Sequence, residues 1–168
     1  DETSISRVGV WKALKKMEQE KTLILKKIGK GKTSTYEIKL NWDNPLLDKK
    51  MALILAEKAV KNSKWLNNFK ELKEHVEFFI VYGSILHSPK EANDIDLLVI
   101  ADDKKDFNTI SKIMLKLQQT QIKKIHFIDL SDSVLKEELK TNKNKAYIDA
   151  FKKGIVLFGQ DDYVKFIK

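Results

Sequence analysis

A chain of 168 residues carrying a net charge of +8 has room for one domain of ordinary size or two small ones. It contains no cysteine, which excludes disulfides, thiolate zinc sites and cysteine nucleophiles, and no stretch approaches the ~20 apolar residues that span a bilayer. The charge is uneven: residues 1–40 hold ten Lys/Arg against five Asp/Glu, so the first quarter carries most of the basic excess and suggests a nucleic-acid partner. With no signal peptide visible, a cytoplasmic protein and no membrane partner are expected. The sequence opens at Asp1 without methionine, so further residues are expected upstream.

Residues 4–21, SISRVGVWKALKKMEQEK, set Ile5, Val10, Leu14 and Met17 at helical spacing, with Ser6 placed to cap the start. Arg7, Trp11, Lys12, Lys15 and Lys16 face away from that stripe. LILKKIG follows, then a basic turn holding Lys30 and Lys32, then TYEIKLN, in which Tyr36, Ile38 and Leu40 alternate with charged residues; this predicts a hairpin with a basic tip. The helix and hairpin together resemble the second half of a winged helix-turn-helix DNA-binding domain. That resemblance implies a recognition helix over 6–20 and a wing over 30–34. Double-stranded DNA would be the partner, touched by Arg7, Trp11, Lys12, Lys15, Lys16, Lys30 and Lys32. The helices such a domain places first are missing here, so the domain is expected to be truncated. The competing reading is a basic helix and hairpin used for packing or dimerisation, with Trp11 in a core or a dimer contact.

Asn44-Pro45 predicts a helix start, with Asn as cap and Pro at the first helical position. Leu46, Leu47, Met51, Leu53, Ile54, Leu55, Ala59 and Val60 give that helix a broad apolar face. Ser63 interrupts it and is placed to cap a second amphipathic helix through Trp65, Leu66, Phe69 and Leu72, and both are expected to link two domains without a flexible Gly/Ser linker.

Residues 78–100, FFIVYGSILHSPKEANDIDLLVI, read as strand, polar loop, strand. Asp94 and Asp96 head the second strand. Side-chain direction alternates along a strand, so the two carboxylates share a face with Cα atoms about 7 Å apart. Paired carboxylates repel, and a hard divalent cation such as Mg²⁺ is the usual remedy. Gly83 permits close backbone approach to a ligand, while Ser84 offers a hydroxyl and an N–H to a phosphate oxygen. An ordinary hairpin with an acidic loop would not explain Asp96 inside an apolar strand, where a lone charge is costly.

Gly83-Ser84 followed by Asp94-x-Asp96 at the head of an apolar strand resembles the nucleotidyltransferase superfamily of the DNA polymerase beta type, in particular its minimal domains. That resemblance implies that Asp94 and Asp96 hold Mg²⁺, one ion or two, and that Gly83-Ser84 cradles the phosphates of a nucleoside triphosphate. Lys90 is a further candidate for the triphosphate. The arginine and second glycine that active members often carry after Gly-Ser are replaced by His87 and Ser88, with Pro89 next. This removes a planar phosphate donor and stiffens the loop.

Asp102-Asp103 then leads into a helix through Phe107, Ile110, Ile113, Met114 and Leu117, and IKKIHFIDLS predicts a third strand. The family commonly sets a third carboxylate there. Aligned on the apolar pattern, His126 takes that place and Asp129 falls three residues on, on the opposite face; a slip at the strand end would bring Asp129 in instead. Asp129 otherwise caps the next helix. The tail resembles minimal nucleotidyltransferase domains in its helix, Gly154 as a left-handed stop, short strand Ile155 to Phe158, Gly159 and closing helix.

The expected fold class is α/β (α+β): a truncated winged-helix-like domain at 1–43, linking helices at 44–75, and a nucleotidyltransferase-fold mixed sheet flanked by helices at 76–168. The expected function is a DNA-binding protein whose second domain binds Mg-NTP and transfers a nucleoside monophosphate to a hydroxyl. The alternative is a DNA-binding transcriptional regulator in which that domain is inactive and serves as a nucleotide sensor or as the contact of a homodimer.

Overall fold

A computed structural model describes residues 5–29, 35–102, 104–141 and 144–168. The chain forms two units, Asp1–Met51 and Ala52–Lys168.

In the first unit, helix α1 (Arg7–Gln19) begins at Ser6, whose hydroxyl accepts the Gly9 N–H at 3.2 Å. Lys21, in left-handed backbone at φ 56°, turns the chain into strand β1 (Leu23–Ile28), which pairs antiparallel with β2 (Thr35–Leu40). Buried Thr22 donates its hydroxyl to Met17 O at 3.0 Å, and the Asn41 and Asn44 side-chain amides donate to Lys21 O, so side chains satisfy the carbonyl left at the turn. The expected apolar stripe of α1 does not enter a core. No α1 residue is buried, and Ile5, Val10 and Met17 are exposed. A helix, a two-stranded hairpin and the few residues that follow up to Met51 enclose too little volume to bury a stripe. Trp11 packs instead against Tyr36 of β2, ring centroids 4.9 Å apart.

Helix α2 (Pro45–Lys61) starts where expected, Asn44 Oδ1 accepting the Leu46 N–H at 3.0 Å. Its residues from Ala52 onward belong to the second unit. Helix α3 (Ser63–Asn68) has Asn62, not Ser63, at its N-cap and is shorter than expected, because the chain tightens into a 3₁₀ turn over Lys70–His75. At about three residues per turn, Phe69 and Leu72 fall on one side, and both are fully buried. Phe69 lies between Trp65 and Phe79, at centroid distances of 6.1 and 5.2 Å.

The core of this unit is a four-stranded mixed sheet of β3 (Phe78–Tyr82), β4 (Asp94–Ile100), β5 (Lys124–Leu130) and β6 (Ile155–Phe158), in the order β5-β4-β3-β6. β3 runs antiparallel to both β4 and β6. β4 and β5 are parallel, joined by helix α4 (Lys104–Thr120) as a crossover. Both sheet faces are covered, which explains the nearly unbroken apolar runs in β3 and β6. Phe79, Val81, Ile95, Leu97 and Val99 pack toward α3, the 3₁₀ turn and α4. Phe78, Ile80, Leu98 and Ile100 pack toward helices α5 (Asp132–Thr141), α6 (Lys145–Lys153) and α7 (Gln160–Ile167).

Gly154 is not a left-handed stop: it is extended, at φ −69° and ψ 171°. Glycine is needed there because a Cβ would strike Ala150 O and the Ile80 side chain. The left-handed residue is Gly159, at φ 70°, where α7 begins hard against the Glu77 carbonyl.

Candidate metal centre

Strand β4 delivers Asp94 and Asp96 to one face of the sheet, the face that carries Leu98 and Ile100 further along. The parallel register sets Asp96 beside His126 of β5. Parallel partners project to the same side, so the imidazole joins the carboxylates. His126 Nδ1 lies 3.4 Å from Asp94 Oδ2 and 4.0 Å from Asp96 Oδ1. Among the described residues these three form the one group of His, Asp and Glu side chains able to converge on a cation, with one donor atom from each within 4.8 Å of the others.

The glycine-serine bend closes the site from the other side. Gly83 has φ 82° and ψ −167°, a conformation nearly reserved for glycine. A Cβ there would overlap Asp96 Oδ2 and lie 3.2 Å from its Cγ. Backbone and carboxylate therefore touch, a contact only a residue without a Cβ allows. Beyond Gly83 the chain makes a short 3₁₀ turn over Ser84–Leu86, anchored by buried Ile85, which leaves Ser84 exposed. A second turn follows, in which the Glu91 and Ala92 N–H groups donate to Ser88 O at 3.0 and 2.9 Å; Lys90 sits on it, exposed.

The start of β5 is clamped. Gln118 of α4 accepts the Ile125 N–H at 2.7 Å and donates to Lys123 O at 3.1 Å, while the Lys123 ammonium donates to Ala92 O. These bonds fix the register that presents His126. Asp129 is not brought to the site. It pairs with Val99 in a register that sends it to the opposite face, three positions further along the strand. Ser131, not Asp129, caps α5, its hydroxyl accepting the Val134 N–H.

Burial, with the Asp94 charge second, raises the Asp96 carboxyl above its usual range, and His126 opposes the shift. Tyr82, the cross-strand partner of Asp96, was not singled out from sequence. Burial and then the Asp96 charge push its hydroxyl up to about 12. Its only sequence signal is its position, immediately before Gly83 on a strand bound to pair with the acidic one.

The donor set fits a divalent cation. Metal bonds of about 2.1 Å place neighbouring donors about 3.0 Å apart and opposite donors about 4.2 Å apart. The distances from His126 to the two carboxylates, 3.4 and 4.0 Å, fall inside that interval.

In the first unit Arg7, Lys12 and Lys16 are exposed on α1. Lys15 is engaged within the unit, paired with Glu18 at 2.8 Å and lying 5.1 Å over the Trp11 ring. Lys30 and Lys32 lie outside the described residues. No helix among the described residues is long and apolar enough to cross a membrane.

A family model described as polymerase beta, nucleotidyltransferase, matches residues 64–163. Curated protein sequences give no match. Similar solved structures include a mutant of the MntA-HpeT toxin-antitoxin, 20% identical over 62% of this chain and 82% of that one, with a TM-score of 0.41. Another is a tri-AMPylated Shewanella oneidensis HEPN toxin in complex with MNT antitoxin, 20% identical over 66% of this chain and 83% of that one, with a TM-score of 0.38.

Proposed function

Because the chain belongs to the polymerase beta nucleotidyltransferase family, we propose that its second unit binds a nucleoside triphosphate together with a divalent cation at Asp94 and Asp96 and transfers the nucleoside monophosphate to a hydroxyl acceptor. The observation that carries this reading is the convergence of the two carboxylates, His126 and the Gly83 bend on one corner of the sheet. When bound, the cation neutralises the triphosphate and polarises the α-phosphorus. The chain's own groups do the rest. Asp94 and Asp96 fix the position of the charge they share with the ligand. The Gly83-Ser84 backbone and the exposed Ser84 hydroxyl cradle phosphate oxygens, and Lys90, exposed on the turn that follows, neutralises the leaving end. The acceptor oxygen bonds to the α-phosphorus as the bond to the β-phosphate breaks, pyrophosphate leaves, and the acceptor proton passes to solvent. Positioning and charge neutralisation supply the acceleration.

A second reading, a nucleotide sensor without turnover, is favoured by one observation: the loop after Gly83-Ser84 offers His87, Ser88 and Pro89 where active relatives often place arginine and glycine. In both readings the first unit binds duplex DNA through Arg7, Lys12 and Lys16 on α1 and through the basic hairpin tip, as a winged-helix-like module. Support for this comes from the exposure of those side chains and the basic excess of residues 1–40. Calorimetry of NTP binding with divalent cation tests the shared premise, and loss of binding in Asp94→Ala/Asp96→Ala is expected. Transfer of radiolabel from α-labelled NTP then separates enzyme from sensor.

A further inference from the structure

We propose that His126 is a ligand of the cation through Nδ1, and that this nitrogen donor turns the site toward Mn²⁺ and away from Mg²⁺. The inference rests on the nucleotide-binding reading above and adds to it the identity of the third ligand and the metal class.

The geometry argues against a simple ion pair. Neither Nδ1–O separation, 3.4 or 4.0 Å, is a hydrogen bond, whose N···O distance lies at about 2.7–3.2 Å. The ring sits near both carboxylates without bonding either, spaced as donors are around a common centre. Nδ1, not Nε2, faces them. Among the described residues His126 is the one basic side chain within 4.0 Å of either Asp94 or Asp96. No lysine or arginine among the described residues competes with a cation for the pair. The ring is also half-exposed, at 53% of its side-chain surface, so a bare charge pair there would be worth at most about 1 kcal/mol. Yet the register that presents it is clamped by Gln118 and Lys123. These bonds hold the backbone that carries the ring in register beside Asp96.

The chemistry then selects the metal. Mg²⁺ is hard, demands oxygen and gives up water reluctantly, so an imidazole adds little to its binding. Mn²⁺ shares with Mg²⁺ the preference for carboxylate, water and phosphate oxygen but, as a transition metal, loses less by taking a nitrogen donor. Two carboxylates plus one imidazole therefore form a site for Mn²⁺ that keeps positions open to triphosphate oxygens. An aspartate at 126 would restore an all-oxygen set.

The test titrates the full chain with MnCl₂ and with MgCl₂ by calorimetry, with and without NTP, and records pulsed electron paramagnetic resonance of the Mn²⁺ complex. The expected result is Mn²⁺ binding tighter than Mg²⁺. The expected spectrum shows ¹⁴N coupling on Mn²⁺ that disappears in His126→Ala. In His126→Asp the affinity ratio should collapse toward unity. The spectrum of the unaltered protein needs no variant to fold, and the half-exposed position 126 tolerates both substitutions. Mn²⁺ binding without ¹⁴N coupling, coupling that persists in His126→Ala (as from His87), or a ratio unchanged in His126→Asp would overturn the inference and leave the nucleotide site standing. Binding of neither cation, with or without NTP, would remove the nucleotide site as well.

Discussion

Gly83→Ala concentrates the demands of the site in one methyl group. At φ 82° and ψ −167° the backbone lies where an L-residue with a Cβ is strained by about 1–3 kcal/mol. The added Cβ would also overlap Asp96 Oδ2, with Asp96 Cγ and Cβ at 3.2 and 3.3 Å. Asp96 cannot retreat by moving its strand, because Ile95 and Leu97 on either side are buried at 2% and 0% exposure and β4 is hydrogen-bonded along both edges. The carboxylate can only rotate away, leaving the position shared with Asp94 and His126. Adding an overpacking cost of about 1–2 kcal/mol gives a total loss of about 2–5 kcal/mol, read as a lower urea midpoint at constant slope. Divalent-cation-dependent NTP binding should be lost in the same variant under conditions where it remains folded. Gly9→Ala is the control. A Cβ there meets the Ile5 Cγ2 methyl at 2.8 Å, the end of an exposed side chain that can rotate, and alanine favours the helix by up to about 1 kcal/mol. A Gly83→Ala protein within about 0.5 kcal/mol of the parent and still binding NTP would refute the reasoning.

Leu97 is fully buried in the middle of β4, and Leu97→Ala should cost about 3 kcal/mol or more by denaturant unfolding, with a loss below about 1 kcal/mol counting against the assigned core. Glu77 has its pKa raised above 4.5, first by burial and then by Asp102, Asp132 and Asp162. Its ionised form therefore costs stability above the folded pKa, and the cost fades as pH falls through that value and is gone below about 4.5. Glu77→Gln should raise Tm at pH 7 and lose that gain as the pH approaches 4; a pH-independent gain would contradict the assigned cause. Lys12→Ala/Lys16→Ala should weaken binding to duplex DNA of any sequence and reduce the salt slope by about 1–2, and an unchanged slope would rule α1 out as a phosphate-contacting element.

The parts of the fold governed by local rules were legible in the sequence. Ser6 and Asn44 are caps because their oxygens reach an N–H two or three residues on, a short-range relation that residue type alone reveals. Asp94 and Asp96 share a face by strand periodicity, and the strand Ile155–Phe158 is bounded by two glycines. What escaped depended on partners distant in sequence. Phe69 breaks its helix to reach Phe79, and Gly154 is glycine because of Ile80, not because of its own φ. The α1 stripe looks like a core-facing helix in every local respect. Whether it is buried depends on what the rest of the unit supplies, and the described residues supply only a two-stranded hairpin and the first turns of α2. Tyr82 enters the site only through its pairing with Asp96.

His126 and Asp129 show where reading the strand alone stops. Both lie on the same apolar strand, and a slip or bend at its end would exchange their faces, so periodicity alone left the third site residue open. The register is decided outside the strand, by Gln118 taking the Ile125 N–H and by Lys123 reaching Ala92 O. Once Ile125 is fixed beside Ile95, His126 must stand beside Asp96, and Asp129 beside Val99 on the far face, about 10 Å further along. Asp129→Ala should therefore leave cation and NTP affinity within about twofold of the parent, whereas Gln118→Ala should weaken both without touching a ligand, because the buried Ile125 N–H loses its acceptor and the strand start loosens. Calorimetry on the two variants checks the argument. Loss of binding in Asp129→Ala, with Gln118→Ala unaffected, would mean that the register is set differently and that the site is completed from the strand's other face.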